Sequence, residues 1–128
     1  IVLAVTEPTP VAVVGAGNYW QYVDLTGEIF GVLTKKPKGF LTITAQKVSA
    51  RQAAAKVATD LPQWLAKRVT SISAASPDDV ILHLAGAVQI RWGSSERSER
   101  KALVAQSLLK VKARIYDVSA PDVPITIK

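Results

Sequence analysis

Apolar and polar residues alternate most regularly between positions 80 and 92. Val80, Leu82 and Leu84 point one way, Ala85-Gly86 turn the chain, and Val88, Ile90 and Trp92 share one side of the return strand. That period of two marks a half-buried β-hairpin. The same pattern predicts strands over Ile1–Thr6, Val11–Val14, Tyr19–Asp24 and Val69–Ala74, and a final one over Ala113–Val118. Proline and glycine punctuate these runs. Glu7-Pro8-Thr9-Pro10 ends the first, because proline removes a ladder donor and restricts the residue before it. Gly15-Ala16-Gly17 turns the second run into the third, and Thr26-Gly27 leads into Glu28-Ile29-Phe30, completing a series of short antiparallel strands. Ser76-Pro77-Asp78-Asp79 has the residues of a type I turn.

The period lengthens twice. Ser49-Ala50-Arg51-Gln52 has capping-box spacing and predicts a helix start. Ala50, Ala53, Ala54, Val57, Ala58 and Leu61 then recur on one narrow face, small enough for close approach to a sheet, and Pro62 stops the run. Ser95 is the expected cap of a second helix, with Glu96 and Glu99 at its positive end. Ala102, Leu103, Ala105, Leu108 and Leu109 form its apolar side, and Lys110 and Lys112 suit its negative end. "GVLTKKPKGFLTIT", 31–44, reads as a loop with at most a brief strand at Phe40–Ile43. The order of strands, helix, strands, helix and strand predicts an α+β domain, a mostly antiparallel β-sheet with two helices packed against it.

Composition narrows the picture. With 128 residues, 48% of them apolar, the chain suits one domain with its own core. It contains no Met, which suggests that it is not a complete translation product, and no window approaches the ~18 apolar residues of a membrane span. The absence of Cys excludes disulfides, thiol chemistry and cysteine-bound zinc. The net charge of +6 includes clusters at Lys35, Lys36 and Lys38, at Lys67 and Arg68, and at Lys110, Lys112 and Arg114. Such clusters usually form a solvated surface; the alternative is a basic module for nucleic acid or an anionic polymer.

Candidate chemistry is sparse. "PVAVVGAGN" resembles a dinucleotide-binding turn, but Trp20 stands at the third glycine position and β-forming residues follow where a helix is needed. His83 is the only histidine and has no catalytic partner nearby in sequence. Asp78-Asp79 fit a turn, and Ser94-Ser95 fit helix capping, without any ligand. Arg91, Trp92, Lys112, Arg114 and Tyr116 mix bases with aromatics as a stacking platform does, yet Trp92 falls on the core side with Val88 and Ile90. No catalytic residue, metal site or cofactor is therefore expected, and no nucleic acid. What remains is an edge. Ala113–Val118 runs into a tail whose two prolines discourage pairing in a sheet centre, so its outer side is expected to stay open to a partner strand.

"VQIRWGS" followed by "ERKALVAQSLLKVKARIYDVSAPDVPI" resembles the C-terminal end of the FtsQ/DivIB family of bacterial cell-division proteins in its actinobacterial form. "TEPTPVAVV", "YWQYVDLTGEIF" and "SAASPDDVILHL" are similar to upstream parts of that family, so the resemblance covers almost the whole chain. Pro8 replaces a usual basic residue, and 31–44 departs from the family's short apolar strand. The resemblance implies that 1–7 end a POTRA domain or linker and that 8–128 form an FtsQ-type β-domain. It implies a bitopic membrane protein, with this domain on the extracytoplasmic side at the division septum and the membrane helix outside the chain. It also implies a non-catalytic scaffold that binds FtsB- and FtsL-type partners by strand addition, with no obligate homo-oligomer. The implied interface comprises Ile115, Tyr116, Asp117, Val118, Ser119, Ala120, Pro121, Asp122 and Val123, with Lys112 and Arg114 as charge partners for acidic residues.

Overall fold

The computed structural model describes residues 9–128, so the strand expected at Ile1–Thr6 and the junction at Glu7-Pro8 lie outside the described residues. Nine strands form one sheet: β1 (Ala12–Ala16), β2 (Tyr19–Val23), β3 (Ile29–Leu33), β4 (Leu41–Thr44), β5 (Val69–Ala74), β6 (Val80–Leu84), β7 (Val88–Gly93), β8 (Ile115–Asp117) and β9 (Ile125–Ile127). Their spatial order is β3-β2-β1-β4-β5-β6-β7-β8-β9. Parallel pairing is confined to β1–β4, β4–β5 and β7–β8. Helices α1 (Val48–Asp60), α2 (Gln63–Ala66) and α3 (Ser98–Leu108) complete the α+β fold.

The core lies on one face of the sheet. Ala12, Val14, Val23, Ile43, Ile72, Leu82, Ile90 and Trp92 bury against Ala50, Ala53, Ala54 and Val57 of α1 and Ala102 and Ala105 of α3. Alanine keeps α1 close to β4 and β5, as its narrow apolar face predicts. The β6–β7 hairpin follows the expected alternation, with Leu82 opposite Ile90 and Leu84 opposite Val88. Its turn is centred one residue later than expected, on Gly86 and Ala87, which both have left-handed φ angles, +78° and +61°. The glycines at 15–17 join two antiparallel strands, Gly17 taking the turn at φ +73°. They therefore open no phosphate-binding helix.

Several local expectations need correction. The stretch 31–44 is not chiefly loop: Gly31–Leu33 continue β3, and Leu41–Thr44 form β4 in the middle of the sheet. The brief strand expected at Phe40–Ile43 is present one residue later, and what the lysines and glycine around it hid is its central place, since β4 is held by neighbours on both sides and not by a pattern of its own. The capping box at Ser49 does not form, because α1 begins earlier, at Val48, with Lys47 as N-cap and no side-chain cap. Arg51 ties the helix start instead, its guanidinium donating to the carbonyls of Gly27 (2.9 Å), Ala45 (3.4 Å) and Gln46 (2.9 Å). Ser95 is likewise not a cap; α3 starts at Ser98 after Arg97, which is left-handed at φ +57°. Leu103 faces solvent, while Lys101 is buried in the helix–sheet interface. Lys110 lies beyond the end of α3 and so does Lys112.

The segment 34–40 has a task that loop composition does not suggest. β3 and β4 both run parallel to β1. The chain must therefore return from the level of Leu33, opposite Trp20, to the level of Leu41, opposite Ala12, past β2 and β1. It crosses on the face without helices, where Phe40 packs edge-on against Tyr22 at 5.5 Å and Lys36 lies 5.6 Å above the Trp20 ring. Val13, on that same face, is wholly buried.

Candidate partner-binding edge

The predicted interface residues fall into three environments. Lys112 and Arg114 are exposed in the link between α3 and β8. Ile115, Tyr116 and Asp117 form β8 itself, and 118–124 make a turn-rich connection to β9. Tyr116 anchors the group. Its ring is buried, and its hydroxyl donates to the Val111 carbonyl while accepting from the Ala113 amide at 3.0 Å. Val118 is fully buried and its amide donates to the Arg91 carbonyl at 3.0 Å.

The connection is built from turn chemistry. The Asp117 carboxylate accepts from the Ser119 amide (3.0 Å) and hydroxyl (2.5 Å), a local closure typical of aspartate. The Val123 amide reaches the Ala120 carbonyl at 2.9 Å around a buried Pro121. Gly93, at the end of β7, has φ +83°, and a Cβ there would stand 2.8 Å from Ser119 Cβ. Only glycine lets the connection pass so closely. Asp122 is within 3.4 Å of Arg97 and 3.8 Å of Arg100, exposed pairs of little energetic weight.

The expectation that β8 has a free outer side is overturned. β9 pairs with it antiparallel, Ile115 opposite Ile127 and Asp117 opposite Ile125. The chain's own tail therefore occupies the rim predicted for a partner. The missed signal was Ile125-Thr126-Ile127, three β-branched residues directly after Pro124, which is where an edge strand accepts proline. The prolines do keep the tail from the sheet centre, but they do not stop it pairing at the edge.

Backbone alternation shows what β9 leaves open. The Arg114 carbonyl accepts from Gln89 and Val118 donates to Arg91, both toward β7, while the Arg114 amide donates to the Ile127 carbonyl of β9 at 2.9 Å. Ile115 and Asp117 between them turn toward β9, and Ile125 and Ile127 turn back to meet them. Thr126 consequently directs its amide and carbonyl away from the sheet. Val123 (67 % exposed), Ile125 (55 %) and Ile127 (43 %) flank it as apolar side chains on this rim.

Among the described residues no other region assembles reactive groups. A groove of about 650 Å³ between α1 and α3 is lined by Lys56, Asp60, Trp64, Glu99 and Leu103 among others. Lys56 is paired with Asp60 at 2.8 Å, and no nucleophile–base pair converges on it. His83 Nε2 lies 2.8 Å from Ser73 Oγ on the helix-free face and borders none of the larger cavities. Trp92 is fully buried with its indole N–H donating to Ser98 Oγ at 3.1 Å, which withdraws it from any stacking platform. Among the described residues no group of His, Cys, Asp and Glu side chains is placed to hold a metal ion, and no helix is long and apolar enough to cross a membrane.

Comparison with known proteins gives a consistent match. The family model for the C-terminal region of cell division protein FtsQ/DivIB matches residues 12–123. The chain is 33% identical over 139 residues to cell division protein FtsQ of Streptomyces coelicolor, covering 95% of this chain and 53% of that protein. It is 35% identical to the Streptomyces griseus protein of the same name, covering 95% and 65%, and 32% identical to that of Mycobacteroides abscessus, covering 98% and 41%. The chain thus spans about half the length of the curated relatives it matches. Among solved structures, the major extracytoplasmic domain of the bacterial cell division protein DivIB from Geobacillus stearothermophilus superposes with a TM-score of 0.54 at 14% identity, covering 84% of this chain and 99% of that one. At that identity the likeness concerns the fold.

Proposed function

This chain belongs to the FtsQ/DivIB family of cell-division proteins, and from that premise we propose that it is the β-domain of a non-catalytic division scaffold, docking FtsB- or FtsL-type partners by strand addition at the outer edge of β9. Residues 8–128 are that β-domain, and 1–7 end a preceding POTRA domain or linker. The domain works on the extracytoplasmic side of a membrane in which the longer protein is anchored by a helix outside this chain.

The observation that carries the reading is the outward backbone of Thr126, flanked by exposed Ile125 and Ile127 at the end of the sheet order. An added strand would satisfy the free amide and carbonyl and cover the apolar side chains, the two sources of affinity in such docking. The interface drawn from the resemblance, 115–123 with Lys112 and Arg114, accordingly shifts outward by one strand. The connection 119–123 borders it, and the two cations flank it as charge partners.

Proline scanning of β9 tests this. Thr126→Pro removes an outward donor and leaves the β8–β9 bonds in place, so the variant should fold and bind a soluble FtsB-type ectodomain about tenfold more weakly, the scale of one lost hydrogen bond plus local distortion. Unchanged binding by folded Thr126→Pro would exclude strand addition here. Proline at 116 or 118 discriminates nothing, because those residues turn toward β7.

A further inference from the structure

The chain has 16 Lys and Arg against 10 Asp and Glu. Between Glu28 and Asp60 there is no acid, and the basic residues are Lys35, Lys36, Lys38, Lys47, Arg51 and Lys56. These six account for the whole +6 surplus, so the remainder of the chain is balanced. Two of the six have internal roles: Arg51 donates to three backbone carbonyls, and Lys56 pairs with Asp60. Lys35, Lys36 and Lys38 stand exposed on the segment 34–40 that crosses the helix-free face, and among the described residues none has a carboxylate partner.

The surroundings of those lysines are unusual for a solvent-facing sheet. Across β5–β7 the helix-free face presents Ser71, Ser73, His83, Gln89 and Arg91 around a single half-buried Ile81, the mainly polar composition expected of an uncovered face. Across β1–β3 it presents half-buried Trp20, Tyr22, Phe30 and Leu33, with Phe40 beside them.

We propose that this crossing segment, with its three lysines above an aromatic layer, is a contact surface for an anionic lipid bilayer. The charges on the crossing segment are all lysine. A lysine ammonium is a mobile point charge without the planar fork that fixes one carboxylate or phosphate, which suits a diffuse field of headgroups better than a single bound anion. The lysines border none of the larger cavities. They ride on a strap across the sheet, a shape that meets a plane and does not enclose a polymer. Aromatic rings beside lysine are also the side chains that settle at the headgroup level of a membrane.

Vesicle co-sedimentation of the 128-residue chain tests the inference. Binding is expected to phosphatidylglycerol mixed with phosphatidylcholine, not to phosphatidylcholine alone, and to weaken steeply with salt. Each lysine should contribute about fivefold, equivalent to about 1 kcal/mol near a charged surface, so Lys35→Ala/Lys36→Ala/Lys38→Ala should lose roughly a hundredfold. Lys67→Ala/Lys110→Ala/Lys128→Ala removes the same charge from other exposed positions and should change binding far less. If the first triple variant fails to fold, Lys38→Glu alone carries the comparison. Equal losses in the two lysine sets would reduce the effect to net charge and overturn the proposal. So would absence of vesicle binding, or binding confined to soluble polyglutamate.

Discussion

The two ends of the sheet, β3 and β9, are both edges, yet they are finished in opposite ways. β3 is irregular: its register with β2 shifts between Trp20 and Tyr22, Gly31 is left-handed at φ +75°, and lysines follow within a few residues. Bulges and flanking lysines are the devices that keep an edge from accepting a stray strand. β9 is short and pairs in unbroken register with β8, and exposed isoleucines lie on either side of an outward-facing Thr126. One edge is guarded and the other is left receptive. In the proposed reading, regular geometry and nearby charge, and not position at a sheet boundary alone, distinguish the docking edge.

Removing the anchor behind the receptive edge should have the largest effect. Tyr116→Ala empties a buried site and releases the hydroxyl contacts to Val111 and Ala113, at a cost of about 3–5 kcal/mol. Denaturant unfolding would measure it. Hydrogen exchange should accelerate at Ile125 and Ile127 well before it does in β3, and equal acceleration at both ends would dissolve the contrast.

Alanine scanning of one residue type at both ends gives a smaller, sharper test. Gly31→Ala places a left-handed alanine whose methyl would lie 3.4 Å from Tyr22 Cδ2, an ordinary contact, and should cost about 1–2 kcal/mol. Gly93→Ala should cost more, since its methyl would also meet Ser119 Cβ at 2.8 Å and push the β8–β9 connection away. Similar losses of thermal stability in the two variants would show that the close approach at Gly93 is readily relieved.

The smallest effect concerns a lysine of the other kind. Lys101 is buried, with its ammonium donating to the Ser94 carbonyl at 2.9 Å, and desolvation lowers its pKa below the ordinary 10.5, opposed by Glu96 and reinforced by Arg97. Because the folded state holds this proton less tightly than the unfolded state, the penalty is present in full below the folded pKa. Stability then rises with pH between that value and 10.5. Lys101→Met keeps the stem and removes the charge, so it should be neutral to stabilising by about 1 kcal/mol at neutral pH. Subtracting its pH–stability curve from the parent's should isolate the alkaline rise; a flat difference would show that Lys101 titrates normally in the fold.

Much of the architecture was legible where pattern and environment agree. β5 and the β6–β7 hairpin carry strong alternation and sit beside other strands, so period alone located them. Elements held by tertiary context were not. α2 is a single turn after Pro62, β9 is three residues that pair because β8 is already in place, and for β4 the brief strand was legible but its central position was not. Serine at 49 and 95 suggested caps by type, yet the helix starts were decided by Arg51 reaching three carbonyls and by the left-handed turn at Arg97. At the candidate edge the open backbone was expected on β8, and β9 occupies that side instead.

β4 has a mechanical consequence. It meets β1 through Leu41 and Thr42 and β5 through Ile43 and Thr44, so each of its residues is bonded to only one neighbour. Tension entering through β1 and leaving through β9 has to pass this staggered seam, where parallel strands load in shear and only α1 straps the two halves from one side. Bonds loaded together in shear share the force, so a pulled scaffold of this design would meet its main resistance at this seam, after the three-residue β9 has peeled away.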